Sequence, residues 1–93
     1  MNYSVIIPAR NEEKSLRQLY DALKPVMDGL GGEWELLLID DGSEDKTYQI
    51  MEELRQQDER VKLIRFRRSF GQTAAWSAGF SHAQGDCVIV IDA

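Results

Sequence analysis

Two apolar runs in this chain end in carboxylates. Leu36-Leu37-Leu38-Ile39 leads into Asp40-Asp41-Gly42-Ser43, and Val88-Ile89-Val90-Ile91 leads into Asp92-Ala93. A carboxylate accepts hydrogen bonds from a base N–H or a ribose hydroxyl. It also ligates hard cations such as Mg2+ or Mn2+, which often bridge substrate phosphates. Adjacent acids repel each other, a cost that structure alone does not require. The same residues are also turn formers, and Ser43 or Asp45 can cap a following helix. Asp92 by itself is a poor metal site, since no second carboxylate stands next to it. A third segment, Pro8-Ala9-Arg10-Asn11-Glu12, offers Arg10 and Glu12 as ligand-binding side chains or simply as a solvated helix start. It has no glycine, so a G-x-G-x-x-G fingerprint and a Walker loop are both absent. Arg65, Arg67 and Arg68 present guanidinium forks that match phosphate oxygens, or that protect a strand edge.

Positioning these groups requires strands that end together. Tyr3 to Ile7 reads as a first strand closed by Pro8, with Asn11 capping a helix whose first turn holds Glu12 and Glu13. Leu16, Leu19, Tyr20, Leu23, Met27 and Leu30 recur at helical spacing, with Pro25 expected to kink or shorten that helix. Glu35 to Ile39 reads as a strand buried on both faces, followed by a helix from about Ser43 to Gln57. Val61 to Phe66 has the mixed pattern of an edge strand. A helix rich in small residues runs from Phe70 to Ala83, and Asp86 to Ile91 is the fourth strand. Cys87 reads as a small core hydrophobe, and Trp34 and Trp76 read as packing residues. The alternation β-α-β-α-β-α-β predicts an α/β, doubly wound, mainly parallel sheet. In the order 3-2-1-4 the fourth strand is an edge without protective charge or proline, as if another strand belonged beside it. The carboxyl edge of such a sheet is where open α/β folds bind ligands.

Composition narrows the partners. The chain has 93 residues, enough for one domain, with 43% hydrophobic and 29% charged residues. The net charge of −5 argues against nucleic acid. One cysteine excludes an internal disulfide and fits a reducing compartment. No apolar run approaches the roughly 18 residues of a membrane span, and no secretory signal is visible at the start. The expected location is therefore cytoplasmic.

Taken together, Ser4 to Glu13, Ile39 to Ser43, Arg68-Ser69-Phe70-Gly71-Gln72 and Gly85 to Ala93 resemble glycosyltransferase family 2. They are most similar to its polyprenyl-phosphate branch, the dolichol- and undecaprenyl-phosphate sugar transferases. The resemblance implies that residues 1–93 are the N-terminal, nucleotide-binding half of a GT-A fold. It also implies a UDP- or GDP-sugar donor, a divalent cation (Mg2+ or Mn2+), and a lipid-phosphate acceptor at the cytoplasmic face of a membrane. Pro8, Ala9, Arg10, Asn11 and Glu12 would line the nucleoside pocket, Asp41 would contact the base, and Arg68 would lie near the diphosphate. Asp40, Ser43 and Gln72 belong to the same matching segments and complete the candidate donor set. Asp92 would open the family's Asp-x-Asp metal motif, with Ala93 as its middle residue and the second aspartate next. The catalytic region is then expected beyond Ala93. Ser69 stands where close relatives often carry Asn. The competing expectations are a non-catalytic nucleotide-binding module and an inactive fragment.

Overall fold

The apolar runs become four parallel strands, and the segments between them become helices that cover both faces of the sheet. The computed structural model describes residues 1–93. In chain order the elements are β1 (Tyr3–Ala9), α1 (Leu16–Gly29), β2 (Trp34–Asp40), α2 (Thr47–Gln57), β3 (Val61–Arg65), α3 (Gln72–His82) and β4 (Cys87–Val90). The sheet order is β3-β2-β1-β4, and every pair is parallel. The expected doubly wound topology is therefore the observed one.

Strand alternation sorts the core into two layers. Val5, Ile7, Leu36 and Leu38 face Leu16, Tyr20, Leu23 and Met27 of α1 and Met51 and Leu54 of α2. On the opposite face, Ile6, Leu37 and Ile39 meet Ala75 of α3. Small residues let α3 approach closely. A Cβ at Gly79 would sit 2.5 Å from Cγ2 of Ile6. This holds α3 across the back of β1, with its first turn at the carboxyl edge.

Several local expectations are corrected. Pro8 lies inside β1, paired with Ile39, instead of closing the strand. Ile6 O accepts from Ile91 N–H on the β4 side, and Ala9 O from Asp41 N–H on the β2 side. By alternation Pro8 faces β4, beyond the last paired residues Ile6 and Val90, so its missing N–H breaks no ladder bond. Helix α1 begins at Leu16, and its N-cap is Ser15, not Asn11. Glu12 and Glu13 thus precede the helix. Pro25 neither ends nor shortens α1, which continues to Gly29. Helix α2 begins at Thr47, later than expected, because Ser43, Glu44 and Asp45 are engaged with the preceding βα turn. Cys87 is exposed, since β4 is an edge strand whose Val88 and Val90 are also exposed.

Candidate functional site: two clefts at the carboxyl edge of the sheet

The first two βα turns are stapled to each other. Asn11 adopts a left-handed backbone (φ 56°), uncommon for a residue with a side chain. There its N–H donates to Ser43 Oγ (3.0 Å), and its Oδ1 accepts Glu44 N–H (2.8 Å). Glu12 N–H donates to Thr47 Oγ1 (2.8 Å) and Glu13 N–H to an Asp45 oxygen (3.3 Å). Burial alone would raise the Asp45 pKa, but hydrogen bonds from Thr47 and Glu13 hold it below the usual range. Asn11 therefore works as a loop clamp.

The two acids after β2 have different surroundings. Asp40 is fully buried and lines neither cleft described below. Its Oδ1 accepts Ser43 N–H (2.9 Å); its Oδ2 has no hydrogen bond and lies 3.6 Å from Arg65 Nε. Asp41 accepts Phe70 N–H (2.7 Å), Ser69 Oγ–H (3.0 Å) and Gly71 N–H (3.1 Å). It anchors the loop entering α3 and satisfies donors that the helix start would otherwise leave open. Gly42 makes that approach possible. Its φ is +71°, and a Cβ there would lie 2.4 Å from Ser69 N.

Two clefts result, joined at Arg10, which lines both. The larger, about 670 Å³, lies over the ends of β2 and β3 and is lined by Arg10, Arg65, Arg67, Arg68, Ser43 and Ser69, among others. Arg10, Arg67 and Arg68 have no ion-pair partner. Two guanidinium groups are held by stacking: Arg65 lies 4.4 Å from the Tyr48 ring centroid and Arg68 4.9 Å from that of Phe70. The cleft is thus a pre-ordered cationic surface in an acidic chain. The smaller, about 210 Å³, lies over β1 and β4 and is lined by Pro8, Ala9, Arg10, Glu12, Asp41, Gln72 and Asp92, among others. Asp41 and Asp92 thus meet in one cleft from strands on either side of β1. Gln72 Nε2–H donates to Asp92 Oδ1 (2.5 Å).

Of the sequence candidates, Pro8, Ala9, Glu12, Asp41, Gln72 and Asp92 share the smaller cleft, Ser43 and Arg68 the larger, and Arg10 both. Asn11 and Asp40 support the site from behind. The sequence reading weighed Arg65 and Arg67 as a basic stripe without placing them in a site. Gly42 and Ser69, present in the matching segments, were given no role at the site, although Gly in an Asp-rich turn signals a positive φ.

No three His, Cys, Asp or Glu side chains gather to hold a metal ion. Of the three carboxylates lining the smaller cleft, Asp41 has both oxygens taken by the loop before α3 and Glu12 accepts Ser15 Oγ–H, which leaves Asp92, with one oxygen free of hydrogen bonds, as the donor best placed for a cation. Such a set fits Mg2+ or Mn2+ shared with substrate phosphates, which commonly use one or two carboxylates, and does not fit a protein-only cage. No helix is long and apolar enough to cross a membrane.

Comparison with known proteins agrees with this architecture. The model of the family described as Glycosyl transferase family 2 matches residues 4–93, so this chain belongs to that family. An uncharacterized glycosyltransferase, YkcC of Bacillus subtilis (strain 168), is 43% identical over 93 residues, covering 100% of this chain and 29% of that protein. An undecaprenyl-phosphate 4-deoxy-4-formamido-L-arabinose transferase of Salmonella paratyphi B is 44% identical over 91 residues, covering 97% of this chain and 28% of that one. The chain therefore spans less than a third of the length of these relatives. The crystal structure of S. aureus TarS 1-349 superposes with a TM-score of 0.84 at 29% identity, covering 99% of this chain and 27% of that fragment. The same TarS fragment solved in complex with UDP gives 0.83. The parallel α/β sheet is that of the N-terminal half of the GT-A fold.

Proposed function

We propose that the intact protein is an inverting glycosyltransferase that moves a hexose or related sugar from a UDP- or GDP-sugar to a polyprenyl phosphate. The observation that carries this reading is the meeting of Asp41 and Asp92 in one cleft, joined through Arg10 to an arginine-lined neighbour. The donor extends across Arg10. Its diphosphate lies at the Asp92 end and its nucleoside near Asp41 and the turn from Pro8 to Glu12. Asp92 would hold Mg2+ or Mn2+ together with the diphosphate. When bound, the cation neutralises charge that develops on the leaving group.

The chain's own groups do the remaining positioning. Arg10, which lines both clefts, brings guanidinium charge to the phosphates, and Arg68, steadied by Phe70, extends that charge along the neighbouring cleft. An acceptor phosphate has a second pKa of about 6 and is ionised near neutral pH. Its oxygen forms a bond to the anomeric carbon as the bond to the diphosphate breaks, and no proton has to be removed. The reaction then needs less help from a general base than attack by an alcohol. A lipid-phosphate acceptor requires a membrane surface, and the face proposed for the intact protein is the cytoplasmic one.

Titration calorimetry with UDP and GDP, with and without Mn2+, tests the donor reading. A nucleoside diphosphate should bind the chain more tightly with Mn2+ than without, and Asp92→Asn should remove that gain. Indifference of the unaltered chain to both nucleotides and to the metal would overturn it.

A further inference from the structure

The two acid-bearing strand ends are tied together by the first turn of α3. Strands β2 and β4 flank β1, so a link between Asp41 and Asp92 must cross the carboxyl end of β1. Asp41 takes the N–H groups of Phe70 and Gly71, which fixes where α3 begins. The next residue, Gln72, opens the helix and donates its carboxamide to Asp92 Oδ1 at 2.5 Å. The rest of α3 is set by the close approach of Gly79 to Ile6 and by the buried Ala75, so the helix start cannot slide along the sheet. The bonds form a continuous strut from β2 through the α3 terminus to β4, roofing Pro8 and Ala9.

We propose that Gln72 is a positioning residue that acts through Asp92, fixing one carboxylate oxygen so that the other is presented to a cation carried on a nucleoside diphosphate. This rests on the donor reading above, and it gives Gln72 a role distinct from direct contact with the nucleotide. The physical basis is general. A carboxylate on an exposed strand end samples several rotamers, and one fixed hydrogen bond removes that freedom before the ion arrives. Groups that hold a metal ligand in this way typically contribute 10- to 100-fold to metal affinity.

The test measures UDP binding to the unaltered chain, Gln72→Ala, Asp92→Asn and the double variant by calorimetry, each with and without Mn2+. Alanine at this exposed helix start keeps good helix propensity, and a melting curve of each variant confirms the fold. Gln72→Ala should lower UDP affinity in the presence of Mn2+ by about 10- to 100-fold more than it lowers metal-free UDP affinity. In the Asp92→Asn background it should have no further effect, because the two residues form one coupled pair. Equal loss with and without Mn2+, or additive loss in the double variant, would show that Gln72 touches the nucleotide itself and would overturn the proposal. So would a full Mn2+ gain in Gln72→Ala. If the unaltered chain binds no UDP under either condition, the donor reading fails, and this proposal with it.

Discussion

At the scale of single residues, the site depends on backbone positions more than on its charged groups. Gly42 combines a φ of +71° with a virtual Cβ 2.4 Å from Ser69 N and 2.6 Å from Arg68 C. Both obstacles are backbone atoms, so relief requires movement of the whole loop that carries Arg68. Gly42→Ala should therefore cost about 1 to 3 kcal/mol of stability, the range for a strained backbone position. It should also weaken nucleoside diphosphate binding, which chemical denaturation and calorimetry on the same variant would measure. Unchanged stability would mean that the loop yields freely. The residues alone show the turn chemistry of Asp40 to Ser43 without separating the two acids, which only the family resemblance distinguished by giving Asp41 the base contact. Their different environments depend on which loop packs above them. That information lies at Ser69 and Phe70, nearly thirty residues away, and no local pattern conveys it.

The elements were legible where their hydrophobic period was strong and misread where one residue was taken as punctuation. Four strands and three helices were expected and found, because β-branched runs and the α1 stripe leave little choice. Besides the late start of α2 and the exposure of Cys87, the errors fell at Pro8, Asn11 and Pro25, three residues whose local preferences the tertiary structure overrides. Pro8 is tolerated because its N–H side points past the end of the β1–β4 pairing. Asn11 is drawn from its capping role by the bond to Glu44. Pro25 lies within α1 but on its exposed side, while Leu23 and Met27 beside it are buried and hold the helix on the sheet. Packing thus outweighs the about 3 kcal/mol that an interior proline costs a helix. Pro25→Ala should recover part of that, raising stability by about 1 to 2 kcal/mol, or about 4 to 8 °C in melting temperature per kcal/mol for a domain of this size. A thermal melt that falls instead would mean the ring makes packing contacts that matter more than the helix bond it removes.

Across the whole molecule, the two ends of the sheet have separate tasks. The carboxyl edge carries the clefts, with unpaired arginines and a carboxylate left open. Paired charges are concentrated toward the amino edge. There Glu35, fully buried on β2, accepts bonds from Ser4 Oγ (2.5 Å), Lys62 Nζ (2.6 Å) and Gln84 N–H (2.7 Å). Burial would raise its pKa, but these donors outweigh that and hold it below the usual range. On the other face Asp58 accepts Tyr20 Oη–H (2.7 Å) and bonds from Arg60 (2.9 and 3.0 Å). Burial again opposes ionisation, yet Arg60 and Tyr20 bring the Asp58 pKa down to about 2. Burial, then the bond to Asp58, push Tyr20 up to about 12. The signs fix a stability profile with two limbs. The ionised Asp58 stabilises the fold above the ordinary carboxylate value of about 4, and that contribution is lost as pH falls through about 2. The protonated Tyr20 stabilises it below about 10, and that contribution is lost as pH rises through about 12. Each shift of nearly two pH units corresponds to about 2 kcal/mol. Urea denaturation across pH should therefore show a plateau from about pH 5 to 9, with both flanks falling. Asp58→Asn should flatten part of the acid flank, and Tyr20→Phe should flatten the alkaline one. The two share a hydrogen bond, so the double variant should lose less than the sum of the single losses. An alkaline flank unchanged in Tyr20→Phe would mean the phenol ionises in the folded state as easily as in the unfolded chain. That outcome would overturn the role assigned to the hydrogen bond from Tyr20 to Asp58.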